Sequence, residues 1–317
     1  MLCFGESVKV KRKKKNPLIS ANNVVKDSPC IFIRRKINVY QRLLFSVFLK
    51  HAGIIANIMK TVILCGGIGY RLKEETEFKP KPMVLIGGKP ILWHIMKIFS
   101  HYGFNDFIIA LGYKGDYIKD YFLNQKYFLH DFTLWTKTGK TKTHRMTNQQ
   151  LIDNFKITFV DTGQDTLPGE RILRVKNYIG EDRDFMVTYG DGVGDVDIRK
   201  LVAFHRKQKT IGTVTGVNPR SKYGLVRIDK SYRIKKFVEK PVIKDWVNGG
   251  FMVFKRSFFS YLRPGEFEHS ALHRLVKERE LSLYIHEGFW HSMDTYADVE
   301  NLNKFWIEMP RWKVWKD

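Results

Sequence analysis

Residues 61–83 read TVILCGGIGYRLKEETEFKPKPM, and the parsing of this run decides the fold. TVILC (61–65) is short, apolar and closed by glycine, so it reads as a strand buried on both faces, as parallel-sheet strands are. Beyond the loop, Pro90 opens a segment with Ile91, Leu92, Ile95, Met96, Ile98 and Phe99 at helical spacing, and Gly103 follows it. Proline at the start and glycine past the end punctuate an amphipathic helix. A strand, a glycine loop and a helix in that order make the first half of a right-handed βαβ unit.

The pattern repeats along the chain. FIIAL (107–111), KITFV (156–160) and FMVTY (185–189) are further buried-strand runs, and DYIKDYF from Asp116 and VDIRKLVAFHRKQ from Val196 are helices between strands. From about Ile211, IGTVTGV, GLVRID, RIKKFVEK and GGFMVF are separated only by short turns, so an antiparallel section is expected to join the sheet. A helix near HSALHRLVKER, the strand LSLYIH and a last helix from about Tyr296 close the domain. Residues 126–155 are polar, threonine-rich and poorly periodic, and read as an inserted loop or flap. The expected fold is one Rossmann-like α/β domain with a mixed, mostly parallel sheet flanked by helices.

A chain of 317 residues is long enough for such a domain, and its formal charge of +23 is unevenly spread. Residues 1–58 carry twelve Lys and Arg against two acids, with KRKKK at Lys11 to Lys15, and share no steady hydrophobic period. A basic run of this kind reads first as a solvated tail, with a nucleic-acid or membrane-surface patch as the alternative. A basic field also draws in polyanionic small substrates. The apolar part from Leu43, LLFSVFLKHAGIIANI, is broken by Lys50 and His51 and falls short of the roughly 20 residues a spanning helix needs. Cys3, Cys30 and Cys65 fit neither a zinc spacing nor a disulfide framework, so a reduced, cytoplasmic setting without membrane or nucleic-acid partners is expected. The regular pattern begins at Met59. Residues 1–58 are therefore read as an extension outside the catalytic fold, and a chain starting at Met59 is expected to be complete and active.

Gly66, Gly67 and Gly69 follow the first strand and let backbone N–H groups close around a phosphate, although glycines alone fit a plain tight turn equally well. The third glycine of a dinucleotide loop and the Gly-Lys-Ser/Thr of a Walker loop are both missing. Arg71 offers a planar fork, and Lys81, framed by Pro80 and Pro82, a positioned point charge. Two cations at a glycine cradle suit a triphosphate whose leaving group is pyrophosphate. Asp191, between Gly190 and Gly192, ends the strand FMVTY, where open α/β sheets bind ligands. It is the first candidate for a Mg2+ ligand, with an ordinary Asp-Gly turn as the alternative. Asp195 and Asp197 read as caps of the next helix, Cys65 as packing, and the histidines have no metal-ligand spacing.

Taken in order, GGIGYRL…KPKPM, GGKPILWHIM, GYKGDYIKDYF, VDTGQDTLPGERILRV, TYGDGVGDV, FVEKP, VNGGFMVF and GFWHSMDT resemble the sugar-1-phosphate nucleotidyltransferases, nearest their glucose-1-phosphate cytidylyltransferase branch, over nearly all of residues 59–308. The resemblance implies a nucleotide-binding half (59–210) in which Cys65, Gly66, Gly67, Gly69, Tyr70, Arg71 and Lys81 meet the nucleotide, with Arg71 and Lys81 catalytic. It implies a sugar half (211–317) in which Glu239 accepts from sugar hydroxyls, Lys240 holds the sugar phosphate, and Tyr223, Gly224, Asn248 and Gly249 line the pocket. It makes Asp294 the partner of Asp191 on Mg2+, and CTP and glucose 1-phosphate the substrates of a homo-oligomer. Two positions depart from the pattern: Tyr70 stands where a small hydroxyl residue is usual, and Cys65 where the branch has alanine. Three other readings stay open at this point: a thymidylyl- or uridylyltransferase, a silent nucleotide-sensing subunit, and a nucleic-acid binder driven by the basic tail.

Overall fold

The first strand, β1 (Thr61–Cys65), lies in the interior of a seven-stranded sheet and is buried along its whole length. The computed structural model describes residues 59–144 and 153–316; the basic segment 1–58 and residues 145–152 of the expected flap lie outside the described residues. Around β1 the sheet is built from β4 (Asp106–Leu111), β7 (Lys156–Asp161), β8 (Asp184–Tyr189), β10 (Gly212–Val217), β13 (Val247–Lys255) and β14 (Leu281–Ile285). Two-residue strands β2 (Leu85–Ile86) and β3 (Lys89–Pro90) form a small hairpin, as do β5 (Phe132–Trp135) and β6 (Lys140–Thr143). β9 (Gly192–Gly194) pairs with β15 (Trp290–Ser292), and β11 (Leu225–Ile228) with β12 (Ile234–Val238). The longer helices are α1 (Ile91–His101), α2 (Gly115–Phe128), α3 (Pro168–Arg174), α4 (Ile198–Gln208), α5 (Glu268–Lys277) and α6 (Tyr296–Glu308).

The sheet order is β14-β10-β13-β8-β1-β4-β7. β8, β1, β4 and β7 run parallel, as the four apolar runs predict, and β10 and β14 point the same way. The antiparallel character expected after Ile211 is carried within the sheet by β13, which runs against both β8 and β10. The ribbon β11–β12 pairs outside the sheet, because the chain leaves β10 at one sheet end and returns through it before entering β13.

Alternate residues of β1 feed two cores. Ile63 and Cys65 pack in the layer with α1, α4 and α6, while Val62 and Leu64 pack with Ile172, Val175, Ala271 and Leu275 on the other side. A helix layer on each face is what permits an uninterrupted apolar strand. α1 follows Pro90 and ends at Gly103, whose φ of 90° lets Phe104 N reach back to Phe99 O at 3.1 Å.

Two expectations are corrected. Residues 126–155 contain the last turn of α2 and the hairpin β5–β6, with Gly139 at φ 68° in its turn. Its strands are almost wholly exposed, so no buried face imposes the alternation that would mark them in the sequence. Asp197 caps α4, accepting from Lys200 N at 3.0 Å, but Asp195 does not. Asp195 lies upstream of the helix and accepts from Phe289 N at 2.6 Å, facing His286 Nε2 at 3.0 Å.

Behind α1, His94 sits fully buried among Trp306, Trp312 and Trp315, with Nε2 2.8 Å from Ile86 O and Trp312 Nε1 3.3 Å from Nδ1. Burial pushes its pKa down to about 4, and does the same for His205. The unfolded chain takes up these protons near pH 6.5 and the folded one only near pH 4, so stability is full above pH 6.5 and falls as pH drops between the two. The cost for His94 is about 3 kcal/mol at the lower limit. Urea unfolding at pH 7 and pH 4.5 should show this loss, and His94→Gln should reduce it.

Candidate active site

β1 and β8 are neighbours whose connections leave in opposite directions, so a crevice opens at their carboxyl ends. The glycine loop of β1 and the Tyr189-Gly190-Asp191 turn of β8 face each other there across a cavity of about 260 Å³. Gly69, at φ 73°, adopts a conformation that L side chains resist, and starts the 3-10 turn Tyr70–Leu72. Gly66 is held by its neighbours: its carbonyl accepts from Arg171 Nη2 at 3.0 Å and from Tyr113 N at 3.2 Å. A Cβ on Gly66 would fall 2.1 Å from the Arg171 guanidinium, so only glycine fits.

Arg171, on α3, is the residue the sequence reading missed. It is 3% exposed, and besides Gly66 O it donates to Leu111 O, Gly163 O, Gln164 O and Thr162 Oγ1 at 2.7–3.0 Å. These bonds clamp the glycine loop to the end of β4 and the 162–164 turn, and place a buried positive charge in the cavity wall. The available signal was an arginine followed by Ile172 and Val175 on the apolar face of a short helix opened by Pro168. Cys65 lies at the cavity floor, 1% exposed, and burial drives its thiol pKa well above the ordinary range, which makes it a packing group.

The charged residues gather at the cavity mouth. Lys81 Nζ donates to Asp191 Oδ2 at 2.6 Å and to Asp294 Oδ1 at 2.9 Å. Arg71 Nη2 reaches the same Asp294 oxygen at 3.1 Å, from a side chain that is 75% exposed. Asp191 and Asp294, far apart in the chain, meet because β9 pairs with β15 and Met293 N donates to Asp191 O at 2.9 Å. Burial opposes charge on both Lys81 and Asp294. Their pairing outweighs it: Asp191 and Asp294 raise the Lys81 pKa, and Lys81 with Arg71 lowers that of Asp294. Asp298 fixes the loop, accepting from Asp294 N and Thr295 N at 3.0 and 2.8 Å within the capping box that starts α6.

Asp298 also accepts from Lys222 Nζ at 3.1 Å, which ties the segment before Tyr223 and Gly224 to the Asp294 loop. Glu239 packs on Gly224, with Oε2 2.9 Å from where a Cβ would stand. Asn248 Oδ1 accepts from Gly250 N at 2.9 Å, and Gly249 O from Trp290 Nε1 at 2.8 Å. Gly250, at φ 85°, brings its backbone against the ring of Tyr189. Glu239 and Lys240 are exposed, and among the described residues neither is hydrogen-bonded or ion-paired to Lys81, Asp191 or Asp294. Tyr70 is 77% exposed and stays out of the cavity wall.

Among the described residues no three His, Cys, Asp or Glu side chains converge as a metal cage. Two carboxylates beside a phosphate-sized cavity fit a divalent ion whose remaining ligands are water and substrate phosphates. No helix of the described residues is long and apolar enough to cross a membrane.

The nucleotidyl transferase family matches residues 60–313. The chain belongs to that family. A probable glucose-1-phosphate cytidylyltransferase of Bacillus subtilis is 44% identical over 261 residues, covering 81% of this chain and 100% of that protein. The glucose-1-phosphate cytidylyltransferase of Salmonella typhimurium is 41% identical over 264 residues, with the same shares covered. Among solved structures, a putative glucose-1-phosphate thymidylyltransferase from Bacillus anthracis has a TM-score of 0.58 at 20% identity, covering 82% of this chain and 98% of that one. A UTP-bound UGPase from Acinetobacter baumannii has a TM-score of 0.59 at 16% identity, covering 80% and 95%. These two carry the fold alone. The chain is thus a nucleotidyltransferase of a family that works on a nucleoside triphosphate and a sugar phosphate, typically with a divalent metal.

Proposed function

We propose that this chain is a Mg2+-dependent glucose-1-phosphate cytidylyltransferase, converting CTP and α-D-glucose 1-phosphate into CDP-glucose and pyrophosphate in the cytoplasm as a homo-oligomer, with residues 59–317 as the catalytic unit. The observation that carries the reading is the 44% identity, over its whole length, to a probable enzyme of that name. The site agrees with it, since Lys81, Asp191 and Asp294 converge on a glycine-walled cavity at the sheet's switch point.

The chemistry follows from charge. A sugar phosphate is already a nucleophile at neutral pH, so no general base is required. Its oxygen forms a bond to the α-phosphorus of CTP while the bond to the pyrophosphate oxygen breaks and that oxygen keeps the electron pair. Repulsion between the two anions is the obstacle. The loop Gly66–Gly69 receives the phosphates, Arg171 stiffens it from behind, and Lys81 and Arg71 neutralise charge moving onto the pyrophosphate. Asp191 and Asp294 would hold the divalent ion, which would supply Lewis-acid stabilisation of the phosphoryl oxygens. Lys240 holds the sugar phosphate, Glu239 accepts from sugar hydroxyls, and Tyr223, Gly224, Asn248 and Gly249 shape the sugar side.

Thermal shifts with CTP, dTTP, UTP, GTP and ATP in the presence of Mg2+ test the base. CTP should stabilise most, by about 2.7 kcal/mol at a hundredfold excess over Kd. A larger shift with dTTP or UTP would move the proposal to a thymidylyl- or uridylyltransferase.

Lys240 has a left-handed backbone at φ 44°, unfavourable for a residue with a Cβ. Lys240→Gly should therefore leave the melting temperature unchanged or slightly raised, while kcat/KM for glucose 1-phosphate falls at least about tenfold, the loss of one charge-assisted contact. A clear drop in melting temperature with activity retained would make Lys240 a structural residue.

A further inference from the structure

We propose that Lys81 occupies the place of the divalent metal between Asp191 and Asp294 until a nucleotide arrives, so that metal and nucleotide bind as a pair and free metal is turned away. The inference rests on the metal-dependent reading above and concerns how the site is held before substrate.

A single ammonium hydrogen-bonds one oxygen of each carboxylate, at 2.6 and 2.9 Å. The Lys81 side chain is 12% exposed, and those of Asp191 and Asp294 are 30% and 18% exposed, so the group is poorly screened by solvent. A divalent ion sharing those oxygens would face the ammonium at close range. Expelling the ammonium first would leave a partly buried positive charge without a partner. Its backbone is also restricted, since Pro80 and Pro82 flank Lys81, and its side chain runs beside Gly69.

A nucleotide changes this balance. Lys81 lines the same cavity as Gly66, Gly67 and Gly69, so phosphates received by the loop offer its ammonium new oxygens without a large displacement. The carboxylates are then released to a metal, which in turn shares the phosphate charge. Each ligand removes the obstacle to the other, and the coupling is reciprocal by linkage. Arg71 touches Asp294 from a side chain 75% exposed, so it contributes little to this exclusion.

Mn2+ binding to the full chain, read by electron paramagnetic resonance of the free ion and by calorimetry, tests the proposal without turnover. In the absence of nucleotide, Lys81→Met and Lys81→Gln should each bind Mn2+ at least tenfold more tightly than the unaltered protein, whereas Lys81→Arg, which keeps a cation, should not. Adding Asp191→Asn to Lys81→Met should abolish the gain, and melting curves check that each variant is folded. A non-hydrolysable α,β-methylene CTP should strengthen Mn2+ binding at least tenfold in the unaltered protein and clearly less in Lys81→Met. Mn2+ bound equally well with and without the analogue overturns the proposal. So does a folded Lys81→Met that binds free Mn2+ no better while the analogue still recruits the ion to the unaltered protein, and this result leaves the functional reading standing. Failure to bind Mn2+ with any nucleotide overturns both.

Discussion

Lys81→Ala is expected to lower kcat about a hundredfold, roughly 3 kcal/mol, while KM for glucose 1-phosphate changes little. Lys81 lines the cavity at hydrogen-bond distance from both carboxylates. Its charge counts most when negative charge moves onto the departing pyrophosphate. Arg71, named beside it from the sequence, lies on the exposed rim, and Arg71→Ala should cost about tenfold or less because solvent screens it. Steady-state kinetics of the two variants separates them. An unchanged kcat with a raised KM for CTP would make Lys81 a uniform binding residue.

Asp191→Asn and Asp294→Asn should each raise the Mg2+ needed for half-maximal rate by about tenfold or more, since one carboxylate holds this ion weakly. Because Lys81 ties the two side chains into one cluster, their effects should not add. The double variant should cost clearly less than the two single losses together, the first change having already displaced the ion. Strict additivity, with normal metal dependence in either single variant, would return that aspartate to a turn or cap.

The centre of the sheet was legible because β1, β4 and β8 are buried on both faces, while β7, at the edge, is only partly buried and showed as a short apolar run. TVILC, FIIAL, KITFV and FMVTY need no context to be recognised as apolar runs, and they became β1, β4, β7 and β8. Asp191 was legible for a related reason, since a strand end in an open α/β sheet is where ligands bind. Its meeting with Asp294 was implied by the family resemblance alone and not by spacing. That contact depends on β9 and β15, three residues each, too short to show a period. Arg171 was hidden by its chemistry: a charged residue reads as surface, and only the five acceptors folded around it make its burial tolerable. The β5–β6 hairpin was hidden by exposure, because strands without a buried face carry no alternation. The left-handed backbone of Lys240 is likewise set by the turn around it, and nothing in FVEKP announces it.

The most direct test is turnover by the purified chain with glucose 1-phosphate, Mg2+ and each of CTP, dTTP and UTP, following pyrophosphate release and the nucleotide sugar formed. The expected result is CDP-glucose and pyrophosphate in equal amounts, with kcat/KM for CTP at least tenfold above that for dTTP or UTP. Pyrophosphate released faster from dTTP or UTP, or from none of the three, would contradict it.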